Sequence, residues 1–190
     1  MSTKQTITRK GSFDVMHRVM NERMKCFHVH GHTYLYELTF GFETMEEIGY
    51  AIDFKEIKRV GCQWIDDKLD HGAILNCHDR TLIKAVNDLG TKLWIMTLNG
   101  PGNYCNPSVE NIAKEVFLAM DILFNKYHNL WIENVRLYET PNCFTDCNRD
   151  SISQDERSNF YIGNKYLIEQ YRDEMGVVEY DDRKIKWSDA

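Results

Sequence analysis

The sequence predicts an α+β domain, and three observations carry that prediction. Strand-like alternation stands near both ends of the stretch from Gln5 to Glu139, helical periodicity lies between, and no Gly-rich phosphate loop opens any helix. A regular βαβα alternation would indicate a doubly wound parallel sheet. Two strands, then helices, then a closing strand, with hairpin potential between the first two, indicate α+β.

The first strand is predicted within Gln5 to Val19, where Ile7, Phe13, Val15, His17 and Val19 share one parity. The second is TYLYELTFGF, Thr33 to Phe42, rich in aromatic and β-branched residues. Asp53 is placed to cap a helix carrying Phe54, Ile57, Trp64 and Ile65 on one side. LWIMTL, Leu93 to Leu98, fits a short strand or a buried helical turn equally well. Asn106-Pro107 reads as an N-cap followed by a first-position proline. Behind it Ile112, Val116, Met120 and Leu123 recur at helical spacing to about Tyr127. LWIENVRLYE, Leu130 to Glu139, closes the pattern as a strand.

The chain has 190 residues, 43% of them hydrophobic and 27% charged, an ordinary globular mix. We expect a core domain over 1–147 and a charged C-terminal extension over 148–190. The extension opens with NRDSISQDERSN and carries an amphipathic patch at Tyr166, Leu167, Ile168 and Tyr171, suited to packing on the core or on a neighbouring subunit. No apolar run approaches the roughly 18 to 20 residues of a membrane span, and the polar N-terminus carries no signal-like apolar region. The six cysteines are scattered without a CxxC pair, which predicts reduced thiols and a cytoplasmic protein. A net charge of -6 argues against a nucleic-acid surface. An anionic substrate would need a local basic pocket.

CFHVHGHTY carries His28, His30 and His32. Residues two apart on a strand share a face, so two such imidazoles can hold one ion. Neutral imidazole suits zinc, which takes about four ligands tetrahedrally. His17 is the best third ligand, because it continues the apolar parity of Phe13 and Val15. Spacing alone does not say which pair among His28, His30 and His32 binds. A lone histidine would read as a core or surface residue; a cluster beside a cysteine reads as a metal site.

Cys26 precedes the histidines, flanked by Arg23 and Lys25. Cations beside a thiol favour the thiolate, so Cys26 is a candidate base or nucleophile, whereas Cys62, Cys77 and Cys105 read as inert buried thiols. Asp70 stands beside His71, and a carboxylate can fix an imidazole tautomer and raise its basicity. A helix C-terminus ending in histidine accounts for the dipeptide as well. Glu139 continues the apolar parity of Val135 and Leu137, so its carboxylate needs a partner. That partner is either a structural cation or a ligand with two parallel N–H donors, such as the 2-amino-4-oxo edge of a pterin or guanine.

FDVMHR, CFHVHGH, GYAIDFKEIK, KLDHGAILN, NPSVENIA and LYET occur in the order found in the tetrahydropterin synthases. The chain resembles that family from about Phe13 to about Thr140. The resemblance implies a tunnelling fold: a four-stranded antiparallel sheet with two helices, closing into an oligomeric barrel. It implies a homohexamer of two stacked trimers, with active sites between subunits. It implies zinc on His17, His30 and His32, Cys26 as the catalytic cysteine, Asp70 and His71 as the acid–base pair, and Glu139 as the pterin anchor. Ser108 and Glu110 fall in its pterin-side motif. Three features depart from the compact family pattern: His28, the long stretch from Cys77 to Asn106, and the extension after Cys147.

The implied substrate is 7,8-dihydroneopterin triphosphate, with zinc acting as Lewis acid on the side-chain hydroxyls and Cys26 taking a carbon-bound proton. Arg18, Arg23 and Lys25 are candidate triphosphate contacts, or simply solvated charges. Three residues, Phe27 to Val29, separate Cys26 from the HGH, which resembles the branch that makes 6-carboxy-tetrahydropterin and acetaldehyde. The 6-pyruvoyl branch usually carries a longer spacer. Two readings of other classes stand beside it, a non-catalytic zinc-stabilised pterin-binding module and a zinc hydrolase. Neither has a use for Cys26.

Overall fold

The computed structural model describes residues 4–98 and 104–177. Its centre is a long hairpin, β1 (Gln5–His17) against β2 (His30–Phe42), paired antiparallel along the full length with His17 opposite His30 and Val15 opposite His32. β2 begins three residues earlier than the apolar run suggests, because His30 and His32 extend its alternation. The chain then passes through α1 (Phe54–Ile57), a π-helical turn (Lys58–Cys62) and α2 (Gln63–Lys68). Asp53 caps this run as expected, its carboxylate accepting from the Lys55 N–H at 2.8 Å. Of the predicted apolar side, Ile57, Trp64 and Ile65 are buried and Phe54 is exposed.

Next come β3 (Gly72–Asn76), α3 (Arg80–Asp88) and β4 (Leu93–Met96). After them follow α4 (Val109–Leu123), β5 (Trp131–Thr140), β6 (Cys143–Asn148) and α5 (Gln154–Glu174). The sheet order is β4-β3-β1-β2-β5-β6. Strands β1, β2, β5 and β6 form the antiparallel part, while β3 and β4 add on parallel to β1. The sheet is therefore six-stranded and mixed, where four antiparallel strands and two helices were expected.

The cause lies in the long stretch after Asp70. GAILN is buried at every position, so it shows none of the alternation that marks a half-exposed strand. The extra length from Cys77 onward supplies α3 and β4, which gives LWIM its strand partner.

One face of the sheet carries the core. Phe13 and Val15 of β1, Tyr34, Tyr36, Leu38 and Phe40 of β2, and Val135 and Leu137 of β5 pack under α2 and α4. Glu115 of α4 is buried there and ties the helix to β4. Its carboxylate accepts from Trp94 Nε1, from the Thr97 N–H at 2.6 Å and from the Leu98 N–H at 3.0 Å.

The cap of α4 is Ser108, whose hydroxyl accepts from the Asn111 N–H at 3.4 Å, rather than Asn106. Pro107 thus lies just outside the helix, which leaves its carbonyl for another partner. Beyond β6, Ser153 and Glu156 form a reciprocal capping box that starts α5. α5 packs on α4 through buried Phe160 and Ile168. Arg172 closes the C-terminus of α4, donating to the Ile122 carbonyl at 3.2 Å and to Asn125 Oδ1 at 2.7 Å. Among the described residues no helix is long and apolar enough to cross a membrane.

Candidate active site

The core-facing row of the central hairpin ends in imidazoles. His17, His30 and His32 offer nitrogen atoms that all lie within 4.8 Å of one another. The pairing of His17 with His30 and the two-residue step to His32 bring them together. His28 lies outside β2 and its side chain is not in this group. Its backbone is used instead: the His28 carbonyl oxygen lies 2.7 Å from His30 Nδ1. The Pro107 carbonyl oxygen lies 2.7 Å from His17 Nδ1. A carbonyl oxygen only accepts, so each Nδ1 is a donor here, and each Nε2 is left to face the cluster. Burial lowers the His17 pKa to about 4; charge on His30 or His32 acts the same way, against the Pro107 carbonyl. His17 is therefore neutral near pH 7.

This donor set fits zinc. It presents three imidazoles, with carbonyls holding the far nitrogens of two of them, the outer support that zinc-binding histidines ordinarily have. Glu139 of β5 reaches the same place. Its Oε1 lies 3.9 Å from both His17 Nε2 and His32 Nε2. With His17 neutral, that approach puts the carboxylate beside the triad without an ion pair to His17.

Tyr34 belongs to this site although its sequence position reads only as core. Its hydroxyl lies 3.3 Å from His17 Nε2. Burial holds the phenol well above its usual range, and the charges of Glu139, Cys26 and Glu110 push it the same way. All three therefore stand within electrostatic reach of the Tyr34 hydroxyl. Cys26 sits half-buried in a 3₁₀ turn, Lys25–Phe27. The Val19 N–H donates to its carbonyl at 2.8 Å, which anchors the turn two residues beyond His17. Ser108 and Glu110 flank the start of α4. The Arg18 guanidinium is taken up by Asp79, which is buried, through two bonds of 2.5 and 2.6 Å. It also lies over the Phe27 ring. Its role here is to fix the turn that carries Cys26.

Asp70 and His71 form a second group. His71 Nδ1 and Asp70 Oδ2 are 2.5 Å apart, and Asp70 Oδ1 accepts from the Asp14 N–H at 2.7 Å. His71 takes a left-handed backbone, φ 54°, and its N–H donates to the Asp14 carbonyl. The pair is thus a turn between α2 and β3, not a helix end. Burial alone would raise the Asp70 carboxyl, but the Asp14 N–H and the His71 ring outweigh it and hold it low. Asp70 in turn raises the His71 pKa. Their side chains group with Asp14 and not with the nitrogen atoms of the triad. Asp14 and Thr33, hydrogen-bonded at 2.5 Å, alternate with buried Phe13, Val15 and Tyr34 and so face the other side of the sheet. An open cleft of about 400 Å³ beside them is lined by Asp14, Val15, Gly31, His32, Thr33 and His71, so one triad histidine and His71 border the same space.

Sequence comparison finds relatives. The family described as 6-pyruvoyl tetrahydropterin synthase matches residues 6–150. A 6-carboxy-5,6,7,8-tetrahydropterin synthase of Rickettsia felis is 35% identical over 144 residues, covering 73% of this chain and 96% of that one. The protein of the same name from Rickettsia typhi is 34% identical over 142 residues, with the same coverage. Among solved structures, an uncharacterized protein of Wolinella succinogenes superposes with a TM-score of 0.64 at 17% identity, over 78% of this chain and 99% of that one. That likeness speaks for the fold.

Proposed function

The chain belongs to the 6-pyruvoyl tetrahydropterin synthase family, and from that premise we propose that it is a zinc-dependent 6-carboxy-5,6,7,8-tetrahydropterin synthase. It converts 7,8-dihydroneopterin triphosphate to 6-carboxy-5,6,7,8-tetrahydropterin, acetaldehyde and triphosphate. The observation that carries this reading is the imidazole triad, held by backbone carbonyls beside Cys26 and Glu139. The names of the Rickettsia relatives support the carboxy product. So does the short spacer between Cys26 and the HGH.

His17, His30 and His32 would hold the zinc, which when bound would supply Lewis acidity towards the substrate's side-chain hydroxyls. The Cys26 thiolate removes a proton from the side-chain carbon, and the Asp70–His71 pair moves protons to and from the same region. Glu139 accepts the two N–H donors of the pterin edge, with Ser108 and Glu110 on the pterin side. Asp70 and His71 group apart from the triad's nitrogen atoms within one chain, which supports a second copy of the chain supplying them to each triad. That arrangement supports a homo-oligomer, with a hexamer of two trimers as its form. Its six scattered thiols support a cytoplasmic setting. The division into a core domain over 1–147 and an extension over 148–190 is supported by α5, which packs on α4 from outside the sheet. Product analysis with 7,8-dihydroneopterin triphosphate tests the proposal. Acetaldehyde with a 6-carboxy pterin is the expected result, and a 6-pyruvoyl pterin alone rejects the chosen product.

A further inference from the structure

Cys77, His78 and Cys105 form a cluster that the reaction above does not use. Their Sγ and imidazole nitrogen atoms all lie within 4.8 Å of one another. We propose that these three residues are a second metal site, taking a thiophilic divalent ion of the zinc class through two thiolates and one imidazole, with water as the fourth ligand. A tetrahedral ion with bonds of about 2.0 to 2.3 Å sets its donors about 3.3 to 3.8 Å apart, somewhat closer than the 4.8 Å within which these atoms lie. The site does not depend on the pterin chemistry.

The backbone is built around the cluster. Cys77 and His78 lie in the turn between β3 and α3, where the His78 N–H donates to Asn76 Oδ1 at 2.8 Å. Cys105 reaches them because Tyr104 and Cys105 both take left-handed backbone angles, φ 48° and 59°. Two successive non-glycine residues in that region cost energy and persist where the surroundings fix them, commonly at functional positions. Here the fixing group is again Asn76, whose Nδ2 donates to the Tyr104 carbonyl at 2.8 Å and to Asn106 Oδ1 at 2.9 Å. One asparagine thus sets both halves of the cluster.

Burial, reinforced by the Cys77 thiol beside it, pushes the Cys105 thiol up to about 12. Without metal Cys105 is an inert thiol; on binding, each thiol gives up its proton to solvent as its metal–sulfur bond forms. The residues that follow Cys105 are Asn106 and Pro107, and the Pro107 carbonyl holds His17. A metal at Cys105 therefore braces the segment that orients the first site.

The test uses the full chain loaded with cobalt(II). Sulfur-bound cobalt gives a thiolate charge-transfer absorption that a three-histidine site cannot give. The band is expected in the parent and in Cys26→Ala, and is expected to vanish in Cys77→Ser and Cys105→Ser while the far-ultraviolet circular dichroism is unchanged. Zinc content falls in those variants from about two to about one per chain. Should the buried Cys105→Ser fail to fold, Cys77→Ser and the exposed His78→Ala carry the test, the latter through a shifted cobalt ligand-field spectrum. The proposal is overturned by a parent without the band, or by a band lost in Cys26→Ala and kept in Cys77→Ser. A Cys77–Cys105 disulfide in the isolated protein, seen as a loss of two hydrogens by mass, overturns it as well.

Discussion

His17 Nδ1 donates to the Pro107 carbonyl at 2.7 Å, across 90 residues of chain. The bond joins the end of β1 to the entry of α4 and leaves Nε2 of a neutral, buried imidazole turned to His30 and His32. The same device recurs at His30, with the His28 carbonyl as acceptor. His28 thus serves through its backbone. We expect His30→Ala to lose about one zinc per chain and His28→Ala to lose none, since alanine keeps the carbonyl. Metal analysis of the two purified variants checks this, and zinc loss in His28→Ala with retention in His30→Ala reverses the assignment.

The triad and the Asp70–His71 pair are separate groups within one chain. If neighbouring copies complete each site, two inactive variants have complementary defects. Cys26→Ala and His71→Ala, each inactive alone, should regain part of the parent rate when unfolded together and reassembled, because some mixed sites carry both intact groups. A mixture as inactive as its components would place both groups in one chain's site.

Asp70 raises the His71 pKa through a 2.5 Å contact. Removing the charge removes that effect. The His71 ring in Asp70→Asn should titrate at lower pH than in the parent, so that the variant's imidazole is more often neutral near pH 7. Proton NMR titration of the histidine rings measures it; an unmoved His71 would mean that Asp70 does not govern its charge.

Glu115 is buried and accepts from Trp94, Thr97 and Leu98. Burial raises its pKa against those donors. Glu115→Leu strands three N–H donors and the Thr97 hydroxyl beside β4; at about 1 to 3 kcal/mol for each N–H, the variant should lose at least about 3 kcal/mol. Urea unfolding followed by tryptophan fluorescence reads this, and a loss below about 1 kcal/mol would show that the donors find other partners.

Much of this architecture is legible in the sequence where one face of an element is buried. β1, β2, β5 and α4 show their periods because apolar and polar residues alternate along them. β3 is illegible because Gly72–Asn76 is buried throughout, and β4 because a four-residue strand is too short to have a period. Asn106-Pro107 looks like a helix start because the residue types are right; Ser108 takes the cap and Pro107 turns its carbonyl to His17. The site reads well where side chains carry the chemistry, as at His17, His30 and His32, and poorly where backbone does. The carbonyls of His28 and Pro107 leave no trace in residue type. Tyr34 reads as core because its ring is buried with its row, while its hydroxyl serves the site.

The central claim is that Cys26 acts as the base in a side-chain cleavage. It is tested most directly by following acetaldehyde from 7,8-dihydroneopterin triphosphate with the zinc-loaded parent and with Cys26→Ala. General-base catalysis is worth about 10²- to 10⁴-fold. The parent is expected to release acetaldehyde and a 6-carboxy pterin in equal amounts. The variant is expected to be slower by at least about 10²-fold, with its zinc content at the parent level. A variant that releases acetaldehyde at the parent rate would show that Cys26 is not the base.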